Sequence, residues 1–501
     1  MKRNSIFYGA LLLTLGSIAL RVVQMLFQIY ISGVMGAEGL GRMQLVSTIG
    51  GFAAILASGG VRIAATCLTA EEVGRGNFAG VKSAMGCCCI YGLSLSVPVA
   101  AGLFLLADYF ALTFIAQPEG ALPLRIFALF LPINTLWAVF AGYFTADGRV
   151  GELVAMEFFE RILSIAIVVA GITLDFLDPC SMIFLGSSLA TMASFILLVW
   201  RYSVVFPHTA PVTLGEMMPR LLKLTIPLGL NDVLKSGLNT VENMLVPQGL
   251  RKGGASNSQA LSAYGTICGM VFPVITFPSV ILYSLSDLLV PEMAKCRARQ
   301  RTERIQFLTD KCLRMTLVFA MSFAGLGLLL GQELGILLFD SPDAGRYIRI
   351  FSPLVIMLYL DAITDGMLKG LSQQIYTVRY NTVTSVLDVT FLFFLLPRYG
   401  ISGYLFSFTV THAINFFLSI RRLIQVTGHF PKFHCTIKGT LCCGASLLAV
   451  GLLPVTLEAT YLRVAFFGGV FLTVFLTLCI LTGVIEKEDA RWIWRLVRNG
   501  K

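Results

Sequence analysis

Residues 6–35 constrain this chain more than any other stretch: about thirty residues, nearly all apolar, with Arg21 in their middle. Roughly 20 residues rising ~1.5 Å each cross the hydrocarbon core of a bilayer, so a run this long is expected to be a membrane-spanning helix. Ser17, Arg21, Gln24, Gln28 and Ser32 are separated by four, three, four and four positions, which places them along one side of that helix. An unpaired charge at mid-bilayer costs from ~3 to more than 10 kcal/mol, so such a stripe faces a helix bundle or a wet cavity rather than lipid.

The remainder of the chain extends this reading. With 56% hydrophobic and 13% charged residues and a mean hydropathy of +0.80 over 501 residues, a soluble globule is excluded and a polytopic all-α membrane protein is expected. Hydropathy and chain breakers mark about fourteen spans, at residues 6–35, 40–66, 84–107, 126–146, 153–174, 181–200, 224–246, 260–290, 313–331, 350–368, 380–396, 401–420, 440–456 and 461–484. The 38 Lys and Arg residues concentrate on segments that are cytoplasmic when the N-terminus is inside, the densest run being residues 295–301. That bias predicts cytoplasmic termini and an inner-membrane location. A basic loop beside apolar spans is a topology signal, so no nucleic-acid partner is expected. The start is basic and apolar without a small-residue cleavage site, hence an uncleaved first span. The tail, residues 486–501, has the pattern of an interfacial amphipathic anchor.

A weak repeat relates Phe130-Leu131-Pro132 and Gly142-Tyr143-Phe144 to Phe351-Ser352-Pro353 and Gly366-Met367-Leu368, about 220 residues later. Six spans separate the copies, so they keep one orientation across the membrane. The expected architecture is two pseudo-symmetric six-helix lobes around a central cavity, residues 1–210 and 211–430, with two further helices and the tail in residues 431–501. Span seven, the repeat partner of span one, carries its own polar stripe, Asn231, Lys235, Asn239 and Glu242. Arg21, Arg62 and Lys235, assisted by Gln24, Gln28 and Asn239, are the candidates for binding an anionic headgroup, because guanidinium forks match phosphate oxygens. Helical spacing instead predicts plain ion pairs for Glu157 with Arg161 and Asp365 with Lys369. Asp232, Asn381 and Asp388 are the candidates for a coupling-ion site taking Na+ or H+.

Enzymatic chemistry finds little support. There is no phosphate-cradling glycine loop, no metal-spaced histidine pair and no loop long enough to carry catalytic acids. The 12 cysteines, without a CxxC pair, are expected to be packing residues, as is His412. No cofactor is implied beyond the coupling ion.

Residues Ile31-Ser32-Gly33-Val34-Met35-Gly36-Ala37-Glu38-Gly39-Leu40-Gly41 resemble the segment after the first span of the stage V sporulation protein B-like polysaccharide transporters. Leu245-Val246-Pro247-Gln248-Gly249-Leu250, Ala263-Tyr264-Gly265, Gly269-Met270, Pro278 and Leu289-Val290-Pro291-Glu292 resemble that family's seventh and eighth spans, and Gly142-Tyr143-Phe144 and Glu160-Arg161 its fourth and fifth. The resemblance implies membership of the multidrug/oligosaccharidyl-lipid/polysaccharide exporter superfamily, related to the lipid II flippases. It also implies lobes alternating between inward- and outward-open states, and a lipid-tail groove on the last two helices. By position Arg21 and Arg62 match cavity arginines of the peptidoglycan-precursor flippases. Asp232 and Asn381 match sodium-binding positions of some members, while Ser385 stands where a second acid is expected.

The expected function is therefore translocation of a polyprenyl-pyrophosphate-linked oligosaccharide by a monomer embedded in membrane lipids. Two alternatives stand beside it. A multidrug antiporter of the same superfamily would want net negative charge in its cavity, and a non-transporting envelope scaffold would tolerate cavity substitutions.

Overall fold

The computed structural model describes residues 3–205, 215, 217–430, 433–453 and 459–485. The expected tail anchor, residues 454–456 of the thirteenth span, and the side chain of Ser17 lie outside the described residues. What is described is helical throughout, with no strand among the described residues.

The first helix, α1 (Arg3–Ser58), runs on through the segment expected to separate spans one and two. The interruption there is one residue, Gly36, at φ 65° and ψ −175°. Glycine takes that conformation without the Cβ penalty, so the backbone kinks where a loop was expected. Then follow α2 (Val61–Gly74), α3 (Phe78–Leu105), α4 (Ala121–Ala146), α5 (Val150–Thr173), α6 (Pro179–Val205), α7 (Met217–Lys252) and α8 (Asn257–Gly265). A π-helical turn, Thr266–Val271, and a short helix lead to α9 (Ser279–Ala298). The last seven are α10 (Thr302–Phe339), α11 (Pro342–Phe351), α12 (Leu354–Gly370), α13 (Gln374–Tyr399), α14 (Ile401–Thr427), α15 (Phe433–Gly451) and α16 (Thr460–Leu481).

Each of the fourteen expected spans overlaps one of these helices. Nine helical segments among the described residues are long and apolar enough to cross a membrane, ten when α11 and α12 count as one bent span. That bend is 57° and falls at Pro353, which denies the backbone a donor. Helices α5, α7 and α9 fall short because of the ionisable side chains they carry, and α15 because it is short.

The chain forms two compact units whose limits differ from equal lobes: residues 1–20, 34–251 and 255–265 make the first, and residues 21–33, 252–254 and 266–501 the second. The middle of α1 packs within the second unit while α7 packs within the first, because packing follows space rather than repeat boundaries.

In the first unit, Val61, Leu68, Val81, Tyr143, Phe144, Leu198 and Leu221 meet in one buried cluster drawn from α2, α3, α4, α6 and α7. Helices in lipid gain nothing by hiding apolar surface from apolar tails, so small residues that allow close approach decide where they touch. A Cβ on Gly142 would lie 2.8 Å from the carbonyl oxygen of Arg62, and one on Gly229 would lie 3.0 Å from backbone atoms of Gly59. The start of α7 is fastened to the end of α2 by charge. Arg220 Nη1 donates to Glu72 Oε1 at 3.0 Å, and Arg220 also pairs with Glu71. Asn77 Nδ2 donates to the second oxygen of Glu72 at 2.9 Å. These carboxylates hold the Arg220 guanidinium above its ordinary pKa range. In the second unit, Leu317, Val318 and Met321 of α10 pack against Cys442 and Val450 of α15 and Phe471 and Phe475 of α16.

Candidate functional site

In the second unit, Arg21 sits on α1 with an exposed side chain and no carboxylate within ion-pair distance among the described residues. Tyr283 of α9 is its electrostatic neighbour, and the same tyrosine is influenced by Asp361 and Asp365 of α12. Gln24, one turn beyond Arg21, is also exposed. Gln28 makes a contact within the protein. Its Nε2 donates to the carbonyl oxygen of Gly269 at 2.8 Å, where the π-helical turn departs from regular α-helical bonding. That bond fixes α1 seven residues, ~10 Å, from Arg21.

In the first unit, Arg62 opens α2 just after Gly59 and Gly60, both in the left-handed region at φ 47° and 74°. Its Nη2 lies 3.8 Å from Glu157 Oε1 on α5, and its guanidinium stands 5.7 Å above the ring of Trp137 on α4. The indole is held in turn by its Nε1 donating to Ser194 Oγ at 3.0 Å. Glu157 therefore pairs with Arg62 and not with Arg161 as helical spacing suggested, because α2 brings a guanidinium to its other side. The expected pair of Asp365 with Lys369 does not form either: Lys369 is exposed and makes no ion pair among the described residues. Lys235 on α7 is exposed with no ion-pair partner among the described residues, although Asp232 lies three positions before it. Asn239 accepts from Asn243 Nδ2 through its carbonyl at 2.8 Å and its side-chain oxygen at 3.3 Å, a bond internal to α7.

The three ion-site candidates are divided between the two units. Asp232 belongs to the first unit. Asn381 and Asp388 belong to the second, seven residues and about 10 Å apart along α13. Asp388 is only 3% exposed, and its Oδ1 accepts from Ser407 Oγ at 2.6 Å and Thr411 Oγ1 at 3.2 Å on α14. His412 is a packing residue, its Nδ1 2.9 Å from the carbonyl of Phe408 and its ring stacked on that side chain.

Sequence reasoning missed the buried polar line of α14: Ser407, Thr411, Asn415 and Ser419, each four positions after the last. The spacing was available, but single hydroxyls and an amide inside an apolar span raise less notice than a charge. Asp388 meets this line at Ser407, and Asp361 meets it at Asn415, whose Nδ2 donates to Asp361 Oδ2 at 2.9 Å. Among the described residues no three His, Cys, Asp or Glu side chains converge as a metal site. Chemically, the second unit offers Arg21, without an ion-pair partner among the described residues, and acids answered by hydroxyls and an amide, while the first unit offers Lys235, likewise without one, and Arg62, already engaged by Glu157.

Residues 6–297, more than half of the chain, match the family described as polysaccharide biosynthesis protein. The chain belongs to that family. It is 21% identical over 423 residues to stage V sporulation protein B of Bacillus subtilis (strain 168), covering 80% of each chain. It is 19% identical over 231 residues to sporulation protein YkvU of the same organism, covering 44% of this chain and 52% of the relative. Its fold resembles that of the lipid II flippase MurJ in an inward closed conformation, with a TM-score of 0.68, 14% identity, and coverage of 93% of this chain and 98% of that one. An inward-facing multidrug resistance MATE family transporter of the MOP superfamily is similar with a TM-score of 0.64 at 13% identity, over 83% and 99% of the two chains. The chain thus shares its helical fold with these two solved proteins.

Proposed function

We propose that this protein is a flippase. It would carry a polyprenyl-diphosphate-linked oligosaccharide, either a peptidoglycan precursor or a surface-polysaccharide repeat unit, across the bacterial inner membrane by alternating access. The observation that carries the reading is Arg21: a guanidinium in the middle of an apolar helix, with no carboxylate in ion-pair distance among the described residues. A diphosphate supplies the missing counter-charge through bidentate, charge-assisted hydrogen bonds, which strengthen where water is scarce. Lys235 adds a second cation, and Arg62 a third whose charge Glu157 partly offsets. Gln24 and Asn239 supply hydrogen bonds to phosphate or sugar, while Gln28 positions the helix. The lipid tail stays among membrane lipids, the protein acts as a monomer, and its termini stay on the cytoplasmic side, in keeping with the charge bias. Membership of the family and the MurJ-like fold support this reading.

The test is purified protein in vesicles loaded with a labelled polyprenyl-diphosphate sugar, with outer-leaflet accessibility as the readout. Protein-dependent transfer is expected. If the vesicles instead export cationic dyes and leave the glycolipid where it was, the multidrug antiporter is the better description.

A further inference from the structure

The second unit holds a cavity of about 660 Å³ between α10, α14 and the start of α15, with Leu360 contributed by α12. Its wall is mainly apolar, built on Leu317, Leu360, Phe416, Phe417 and Ile420. The charged residues that line it are Asp310, Lys311, Arg314 and Arg421, three cations to one carboxylate. That carboxylate is engaged, its Oδ2 lying 2.7 Å from Nε2 of His429. Arg421 is exposed and makes no ion pair among the described residues. Lys311 is buried, its ammonium 5.2 Å from the centre of the Phe307 ring.

Charge and apolarity are sorted along the cavity. Helix α10 leaves the basic run 295–301, and on it Lys311 and Arg314 come before Leu317. Helix α14 runs back toward the same end, where Gln306 Nε2 donates to the Thr427 carbonyl at 3.1 Å, and on it Phe416 and Phe417 come before Arg421. The cations therefore lie toward the basic end of the unit, and Leu317, Phe416 and Phe417 lie deeper. By the charge bias that end belongs to the cytoplasmic leaflet, and the exposed Arg299, Arg301 and Arg304 stand on the same side.

A hollow that is cationic near the membrane surface and apolar beneath it matches a molecule with an anionic head and an acyl chain. Basic pockets between spans attract such headgroups, and guanidinium forks fit phosphate oxygens. A volume of about 660 Å³ is within the ~300–1,000 Å³ of small-molecule sites, enough for the phosphate end and the first part of one chain. We infer that this cavity binds an anionic glycerophospholipid of the surrounding membrane, its phosphate held by Arg314 and Arg421 and an acyl chain lying against Leu317 and Phe416. No residue of the α1 stripe lines the cavity, α16 contributes nothing to it, and α15 contributes only Cys435 and Thr436. It is thus distinct from the Arg21 site and from the lipid-tail groove expected on the last two helices.

The experiment titrates the purified full-length chain in detergent with phosphatidylglycerol, counting bound lipid by native mass spectrometry and following thermal unfolding alongside. Phosphatidylcholine, inorganic phosphate and a polyprenyl diphosphate are the comparison probes. Saturable binding near one phosphatidylglycerol per chain is expected, with a raised Tm, and phosphatidylcholine should bind far more weakly. R421E reverses a charge at the cavity and should weaken binding at least tenfold, R421Q severalfold, while R421K should bind almost as the wild type does. R421Q guards against mistaking a misfolded R421E for a lost site. R299E, which changes an exposed arginine outside the cavity, should leave binding unchanged. The inference is overturned by absence of saturable phosphatidylglycerol binding, by equal binding of phosphatidylcholine, by unchanged binding in well-folded R421E and R421Q, or by an equal loss in R299E. Competition by inorganic phosphate at similar concentration would make the site one for a free anion, and displacement by the polyprenyl diphosphate would make it part of the substrate path; either result also refutes it. None of these outcomes depends on whether the chain flips a glycolipid.

Discussion

Replacing Arg21 with Gln separates a side chain kept for substrate from one kept for packing. A guanidinium seated on a diphosphate makes two charge-assisted hydrogen bonds, each contributing ~1.5–3 kcal/mol. Losing about 3 kcal/mol corresponds to roughly a hundredfold or greater fall in transport at subsaturating substrate. Because no carboxylate among the described residues pairs with Arg21, thermal stability should hardly change. Arg62 provides the contrast. Its partner Glu157 is 3.8 Å away, and the two side chains are 49% and 33% exposed, so the pair contributes at most ~1 kcal/mol after solvent screening. R62Q should lower Tm slightly, and adding E157Q should restore it. The assay is leaflet transfer of a labelled polyprenyl-diphosphate sugar in vesicles, run beside thermal unfolding of each variant. If R21Q flips at the wild-type rate, or loses as much stability as R62Q, the assignment of Arg21 to the headgroup fails.

Three further outcomes follow from named contacts. Gly142→Val pushes a side chain into the Arg62 carbonyl and Ala65 Cβ, at 2.8 and 2.9 Å from the first added carbon, and should cost ~1–3 kcal/mol by overpacking, read as a lowered Tm. Asp388→Ala takes the 2.6 Å acceptor from Ser407 and leaves it only the Asp388 carbonyl at 3.4 Å, while Thr411 keeps the Ser407 carbonyl at 2.8 Å; about 1 kcal/mol should be lost in thermal unfolding, and less in Asp388→Asn, which keeps an acceptor. Gln28→Leu leaves the Gly269 carbonyl unanswered; about 1 kcal/mol of stability should go, together with a severalfold rise in the substrate concentration needed for half-maximal transport.

Much of the fold was legible because membrane helices declare themselves by length and apolarity, and each expected span meets a helix. The single arginine in residues 6–35 also pointed to a polar interior, since so costly a charge must be accounted for. Two things were hidden. Helical spacing within one element cannot report a partner arriving from another, which is why Glu157 was paired with Arg161 when Arg62 is its neighbour. Chain order likewise does not reveal which stretch of a long helix packs with which unit, so residues 21–33 fall on the other side of the division from their flanks. The polar line of α14 was written in the sequence at a spacing of four, yet its meaning depends on Asp361 and Asp388, which reach it from different helices.

The meeting of Gly229 with Gly59 carries a mechanical consequence. Two backbones in direct touch, neither bearing a side chain at that spot, have no knobs to lift over one another. Such a crossing sets a spacing that only a bare backbone permits: a side chain at position 229 would meet Gly59 at 3.0 Å and wedge α7 away from the joint between α1 and α2.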